Sequence, residues 1–178
     1  SENASEKNVY IDDGRVNSPS GEYSILYRRR ESRDFEPGFV AIRDNQTKES
    51  QTLFEYARQV DAEWSPSGDY FYVNDYYASN RFTCYVYSIK KLLYPINIEE
   101  LLTASENEKP GSFSFILNEK AYLCGIRWGS NDRIRLTVWG WGEYNPNHYR
   151  VFMDYVVGKG IENVKVYKGW DGAPVARF

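Results

Sequence analysis

The chain has 178 residues, 42% apolar and 17% aromatic, with a net charge of −3 and a pI near 5.3. This size suits one domain that buries roughly 70% of its unfolded surface, enough for a core without a structural metal. The acidic balance excludes a general nucleic-acid binder, which needs a basic surface, and no run approaches the ~18 apolar residues of a membrane helix.

In chain order, residues 1–16 read as a partly flexible polar start. Ser1-Glu2-Asn3-Ala4-Ser5-Glu6-Lys7 lacks an initiator Met. A processed, exported chain begins this way, so a periplasmic or otherwise exported location is expected, with the cytoplasm left open. Asn17-Ser18-Pro19-Ser20-Gly21-Glu22-Tyr23 opens a repeat. It returns 47 positions later as Trp64-Ser65-Pro66-Ser67-Gly68-Asp69-Tyr70. Pro fixes φ and Gly supplies positive φ, so each copy is a turn between two strands. A degenerate third copy starts at Trp128, with Gly129-Ser130-Asn131-Asp132 in place of the Ser-Pro turn. The longer second interval holds the one convincing helical stretch, 96–105. There Asn97 caps, Glu99 and Glu100 favour the positive end of the dipole, and Ile98, Leu101 and Leu102 form an apolar side.

β-branched and aromatic runs between turns predict strands at 23–29, 38–43, 52–56, 61–64, 70–74, 81–89, 121–128, 133–141, 149–157 and 164–168. The basic run Arg28-Arg29-Arg30 is followed by Glu31 and Asp34, which reads as a mixed, solvated strand end. The predicted organisation is a single β domain. It has blade-like units at 17–58, 59–94 and 117–178, and a helix-and-loop insertion at 95–116. Cys84 and Cys124 both sit in apolar, strand-like contexts. They are either two buried thiols or a disulfide between neighbouring strands.

Trp64-Ser65-Pro66-Ser67-Gly68-Asp69-Tyr70 resembles the blade motif of WD40-like and TolB-like β-propellers. Val40-Ala41-Ile42-Arg43-Asp44 and Cys84-Tyr85-Val86-Tyr87-Ser88-Ile89 stand in the place of the third strand. The resemblance covers 17–90, and 120–168 more loosely. It implies an all-β fold of antiparallel blade-like sheets with one short helical insertion. A closed propeller needs about four to eight blades, so about three imply a partial propeller. Small half-propeller proteins of similar size include immunity proteins that neutralise toxins delivered by type VI secretion. Some of these push a loop into the cleft of a peptidoglycan-degrading enzyme. The resemblance therefore implies a protein partner of that kind, a secreted effector or hydrolase.

The residues carry little chemistry. His148 is the sole histidine and stands beside Pro146-Asn147, where an exposed turn is expected rather than a triad base. Asp12-Asp13-Gly14 and the pair Asp69 and Asp75 lack calcium-loop spacing, and no phosphate-binding glycine motif occurs. Carboxylate pairs for glycoside hydrolysis, such as Asp61 and Glu63, arise by chance among 25 acidic residues. No cofactor, no metal and no catalytic residue is expected. Two features favour binding instead. Tyr70, Tyr72, Tyr76 and Tyr77, with Trp139, Trp141 and Tyr144, form an aromatic set, and strand alternation puts Trp139 and Trp141 on one face. The polar stretch 105–114 reads as a long loop. The expected contacts are Lys109, Gly111, Ser112 and Ser114 on that loop, the turn Asp75-Tyr76-Tyr77, and Trp141 with Tyr144. Occlusion of an enzyme cleft is the first functional reading, and sugar stacking on exposed Trp and Tyr is the alternative.

Overall fold

The computed structural model describes residues 10–30, 37–142 and 145–168. Among the described residues twelve strands form three blades. The first is an antiparallel sheet of β1 (Tyr10–Asn17), β2 (Tyr23–Arg30), β3 (Gly38–Asp44) and β4 (Ser50–Tyr56). The second holds β5 (Val60–Trp64), β6 (Tyr70–Asp75), β7 (Arg81–Ser88) and the two-residue β8 (Ile96–Asn97). The third holds β9 (Lys120–Trp128), β10 (Arg133–Gly142), β11 (Asn145–Val156) and β12 (Gly160–Lys168). The chain is thus an all-β, propeller-like array, and its described residues also form one α-helix, α1 (Ile98–Glu108), and one 3-10 turn, Ser114–Leu117.

The repeated turns have the same geometry. Gly21 and Gly68 both sit at φ +76°. Ser18 N–H donates to Tyr23 O, and Ser65 N–H to Tyr70 O, both at 2.8 Å. Each serine hydroxyl also accepts from the N–H of that tyrosine, at 3.1 Å. The turn at Gly129 is built differently, on the bond from its N–H to Arg133 O at 2.8 Å.

Tryptophans staple the blades in series. Trp64, at the end of β5, donates its Nε1–H to Val16 O of β1 at 2.9 Å. Trp128, at the end of β9, donates to Glu63 O of β5 at 3.1 Å. Val16 and Glu63 each precede the residue that opens a repeat copy, so the two bonds are equivalent. This identifies Trp128 as the third repeat position despite its altered turn. Between blades 1 and 2 the core contains Ile25, Val40, Ile42, Trp64, Phe71 and Val73. Between blade 2 and blade 3 it contains Tyr72, Val86, Leu123, Trp128, Leu136 and Val151, with Ile98 and Leu102 from the helix.

The helix has a topological reason. One edge of β7 is shared: Tyr85 and Val86 pair antiparallel with β8, while Arg81 and Phe82 pair parallel with Ala121 and Tyr122 of β9. A parallel neighbour requires a crossover connection, and α1 with the 3-10 turn provides it.

Three details differ from the sequence reading. Tyr10–Asn17 is a strand although it looks like a polar start. Its acidic residues are matched to the basic run, with Arg28 Nε donating to Asp12 at 2.9 Å and Arg29 pairing with Asp13. Second, the helix runs on to Glu108. Thr103 and Ser105 return their hydroxyls to the carbonyls of Glu99 and Leu101, both at 2.9 Å. Third, the stretch after it is a tight turn rather than a long loop, because the buried Glu106 carboxylate accepts from Gly111 N–H at 2.7 Å and Phe113 N–H at 2.5 Å. Cys84 and Cys124 are both buried and free.

Candidate docking face

Alternation along β10 sends Leu136, Val138 and Gly140 into the core and Thr137, Trp139 and Trp141 to the other side of blade 3. Register extends that outer side across five strands. Phe82 lies opposite Tyr122, Tyr122 opposite Trp139, Trp139 opposite Arg150, and Arg150 opposite Tyr167. Directly opposed side chains on one face touch, and the first three of these pairs do, while Tyr167 meets Phe152 edge-on at 6.0 Å. Ring centroids are 4.7 Å apart for Phe82 and Tyr122, 5.5 Å for Tyr122 and Trp139, and 6.2 Å for Tyr122 and Trp141. Tyr76 closes the row edge-on against Phe82 at 4.7 Å. Two cations lie over the indoles, Lys120 Nζ at 4.4 Å from Trp141 and the Arg150 guanidinium at 6.0 Å from Trp139.

Tyr76, Phe82, Tyr122, Trp139 and Trp141 are each half-buried, and Tyr167 is 42% exposed. The backbone beneath is held tightly. A Cβ on Gly140 would lie 1.8 Å from Lys120 O, so only glycine fits between the two tryptophans. The far end of the face is polar. There Arg133 and Arg135 bind Asp154 at 3.2 and 2.6 Å, and Arg133 also reaches Glu162 at 3.0 Å. Burial raises the Asp154 pKa, but hydrogen bonds from Asn163, Arg135 and Arg133 outweigh it and hold the carboxyl below the usual range.

The predicted contact residues divide among several places. Tyr76 and Trp141 come together in the row. Asp75 and Tyr77, its chain neighbours, point to the opposite side of blade 2 and line a cavity against α1. Tyr70 and Tyr72 leave the set and stack on Trp128 at 6.4 and 6.1 Å. Lys109, Gly111, Ser112 and Ser114 form the turn behind the helix. Tyr144 lies outside the described residues, and His148 belongs to β11. Phe82, Tyr122, Lys120 and Arg150 are members of the row that sequence reasoning does not single out. They come from three strands, β7, β9 and β11, and only the pairing register aligns them. Sequence reasoning also misses Leu93 and Tyr94, exposed by 74% and 78% on the turn after β7. Among the described residues no group of three or more His, Cys, Asp or Glu converges as metal ligands. No helix among them is long and apolar enough to cross a membrane.

No family's sequence pattern matches the chain, and no curated protein does. Solved structures do. The fold is similar to the β-propeller domain of the Trilobed protease from Pyrococcus furiosus, described as having an open velcro topology. Identity is 15% and the TM-score 0.52, over 88% of this chain and 42% of that one. A prolyl endopeptidase structure overlays at TM-score 0.51 and 10% identity, over 90% of this chain and 22% of that one. TolB from Acinetobacter baumannii overlays more loosely, at TM-score 0.46 and 12% identity over 89% of this chain and 33% of that one. The chain spans less than half the length of the structures it matches. Fold and neighbours define the class as a β-propeller-like array of three blades.

Proposed function

We propose that the chain is a protein-binding module that acts by occupying a partner, not by turnover, and that it docks through the outer face of blade 3. The observation that supports this reading is the row from Tyr76 to Tyr167, half-buried from Tyr76 to Trp141 and exposed at Tyr167, in which one arginine joins a line of aromatic rings. Tyr, Trp and Arg dominate interface hot spots, Tyr and Trp because they bring a large contact area on two rotatable bonds. The seated cations favour protein over sugar, since Lys120 and Arg150 occupy ring faces that a sugar would need.

The finer reading is an inhibitor or immunity protein whose partner is a secreted hydrolase with its cleft covered. The turn at 109–114 or the β6–β7 turn would approach the cleft. A net charge of −3 would speed association with a basic enzyme.

The test is capture on the immobilised chain from extracts of the source organism, repeated with Trp139→Ala/Trp141→Ala. The reading expects one stoichiometric protein, at least tenfold weaker on the double variant. For the finer reading, that protein is a hydrolase that loses activity in the complex. A partner held equally by both forms, or glycan binding with no protein captured, contradicts the proposal.

A further inference from the structure

On the side of blade 2 away from the aromatic row lies a cavity of about 620 Å3, between the ends of β6 and β7 and helix α1. Asp75, Thr83 and Tyr85 line it from the sheet, Tyr77 and Asn97 from its ends, and Glu99, Glu100 and Thr103 from one side of the helix. Most of its polar groups already have partners. Arg81 donates to Glu99 Oε1 through Nε at 2.8 Å and Nη2 at 2.5 Å, and the Tyr77 hydroxyl donates to Oε2 at 2.9 Å. The Thr83 hydroxyl donates to Asn97 Oδ1 at 2.7 Å, which also accepts the Glu99 N–H at 3.0 Å.

Asp75 is the exception. The residue is 5% exposed, and its buried Oδ1 finds no hydrogen-bond donor among the described residues. An ionised carboxylate withdrawn from water without a partner is strongly unfavourable. Three carboxylates line the cavity, and Arg81 neutralises one of them. The positive end of the helix is already capped by Asn97 and opposed by Glu99 and Glu100, so it offers nothing to an anion.

We propose that this cavity binds an alkylammonium group, whose head pairs with Asp75 and whose methylenes lie along the rings of Tyr77 and Tyr85. A compact ammonium can approach Asp75 from one side, whereas the planar two-pronged guanidinium needs both carboxylate oxygens presented edge-on, and Oδ1 is buried. A divalent metal would need several converging ligands, and the described residues hold no such cluster. The group would come from a lysine side chain of a partner or from a free diamine.

The groups facing Asp75 are Tyr77 beside it, Tyr85 and Tyr87 on β7, and Glu99 and Glu100 on α1. Burial pushes Tyr85 up to about 12, so that phenol stays neutral at neutral pH. Burial likewise pushes Asp75 up to about 6. The carboxylate is therefore present above that pH and lost below it, and ammonium affinity should follow.

The experiment is an NMR titration of the full chain with n-butylammonium, using n-butanol and calcium as controls. The expected result is saturable shifts at Asp75, Thr83 and Thr103 with the ammonium and none with either control. Affinity should drop about tenfold when Asp75 is protonated. Asp75→Asn should weaken binding by at least the same factor, relative to the ionised form, at every pH while the fold stays at least as stable, and Glu100→Gln should weaken it by a few-fold. Tighter binding of lysine with both α groups blocked than of cadaverine would point to a partner's side chain, and the reverse to a free diamine. Absence of saturable shifts at tens of millimolar ammonium, equal binding of n-butanol, or undiminished binding to Asp75→Asn would overturn the proposal.

Discussion

At the residue scale, single side chains join one blade to the next. Trp64 and Trp128 each give one indole N–H to a carbonyl of the preceding blade. Trp64→Phe and Trp128→Phe should each lower the urea unfolding free energy by roughly 1–2 kcal/mol, from one lost hydrogen bond and the smaller ring. Asn74 is a second kind of joint. Its side-chain amide mimics a peptide, accepting from Gly125 N–H at 2.7 Å and donating to Gly125 O at 2.9 Å across to β9. Asn74→Ala leaves both buried groups unpaired and should cost about 2–4 kcal/mol. Asp75 acts in the opposite direction. Its folded pKa of about 6 lies above the usual carboxylate value near 4, so folding favours its neutral form. Stability from this residue is highest at low pH and falls as pH rises from about 4 through 6. Asp75→Asn should therefore stabilise the protein by on the order of 1–3 kcal/mol at pH 8, with the gain gone by pH 4, as read from urea midpoints. The tryptophans were legible in the sequence through the repeat. Asn74 was not, because nothing local distinguishes a strand asparagine that bonds a distant backbone from one that faces water.

At the element scale, pairing geometry does the specifying. Gly140 permits β10 to approach β9, and Gly140→Ala would drive a methyl into Lys120 O. The clash is with Lys120 backbone, with the buried Tyr149 hydroxyl 3.1 Å away, so this variant should lose more than 3 kcal/mol or fail to fold. Its readout is the thermal midpoint or the yield of soluble protein. The cysteines sit on β7 and β9, the two strands that pair in parallel nearby. Burial pushes both thiols up, Cys124 to about 12. Reactivity follows the thiolate, so an alkylating reagent should label neither until the protein unfolds, after which both react. The strands other than β1 and β8, and the helix start, were legible because alternation and the Asn97 cap are local signals. The extent of α1 and the tight turn behind it were not, since they depend on Glu106 being buried and bonded to two backbone N–H groups.

At the scale of the molecule, three blades make two shared cores and leave the outer side of blade 3 with its aromatic row. That row illustrates what sequence alone withholds. Trp139 and Trp141 could be assigned to one face from their spacing, but their neighbours Phe82, Tyr122 and Arg150 come from three other strands. Their alignment depends on a parallel crossover that the one-dimensional pattern does not announce. The docking reading is tested most directly by hydroxyl-radical footprinting of the chain alone and in its captured complex. The account predicts that Tyr122, Trp139, Trp141 and Tyr167 oxidise readily in the free protein and are protected in the complex, while Leu93 and Tyr94 react alike in both. Protection of Leu93 and Tyr94 with unchanged oxidation of the two tryptophans would place the partner elsewhere and contradict it.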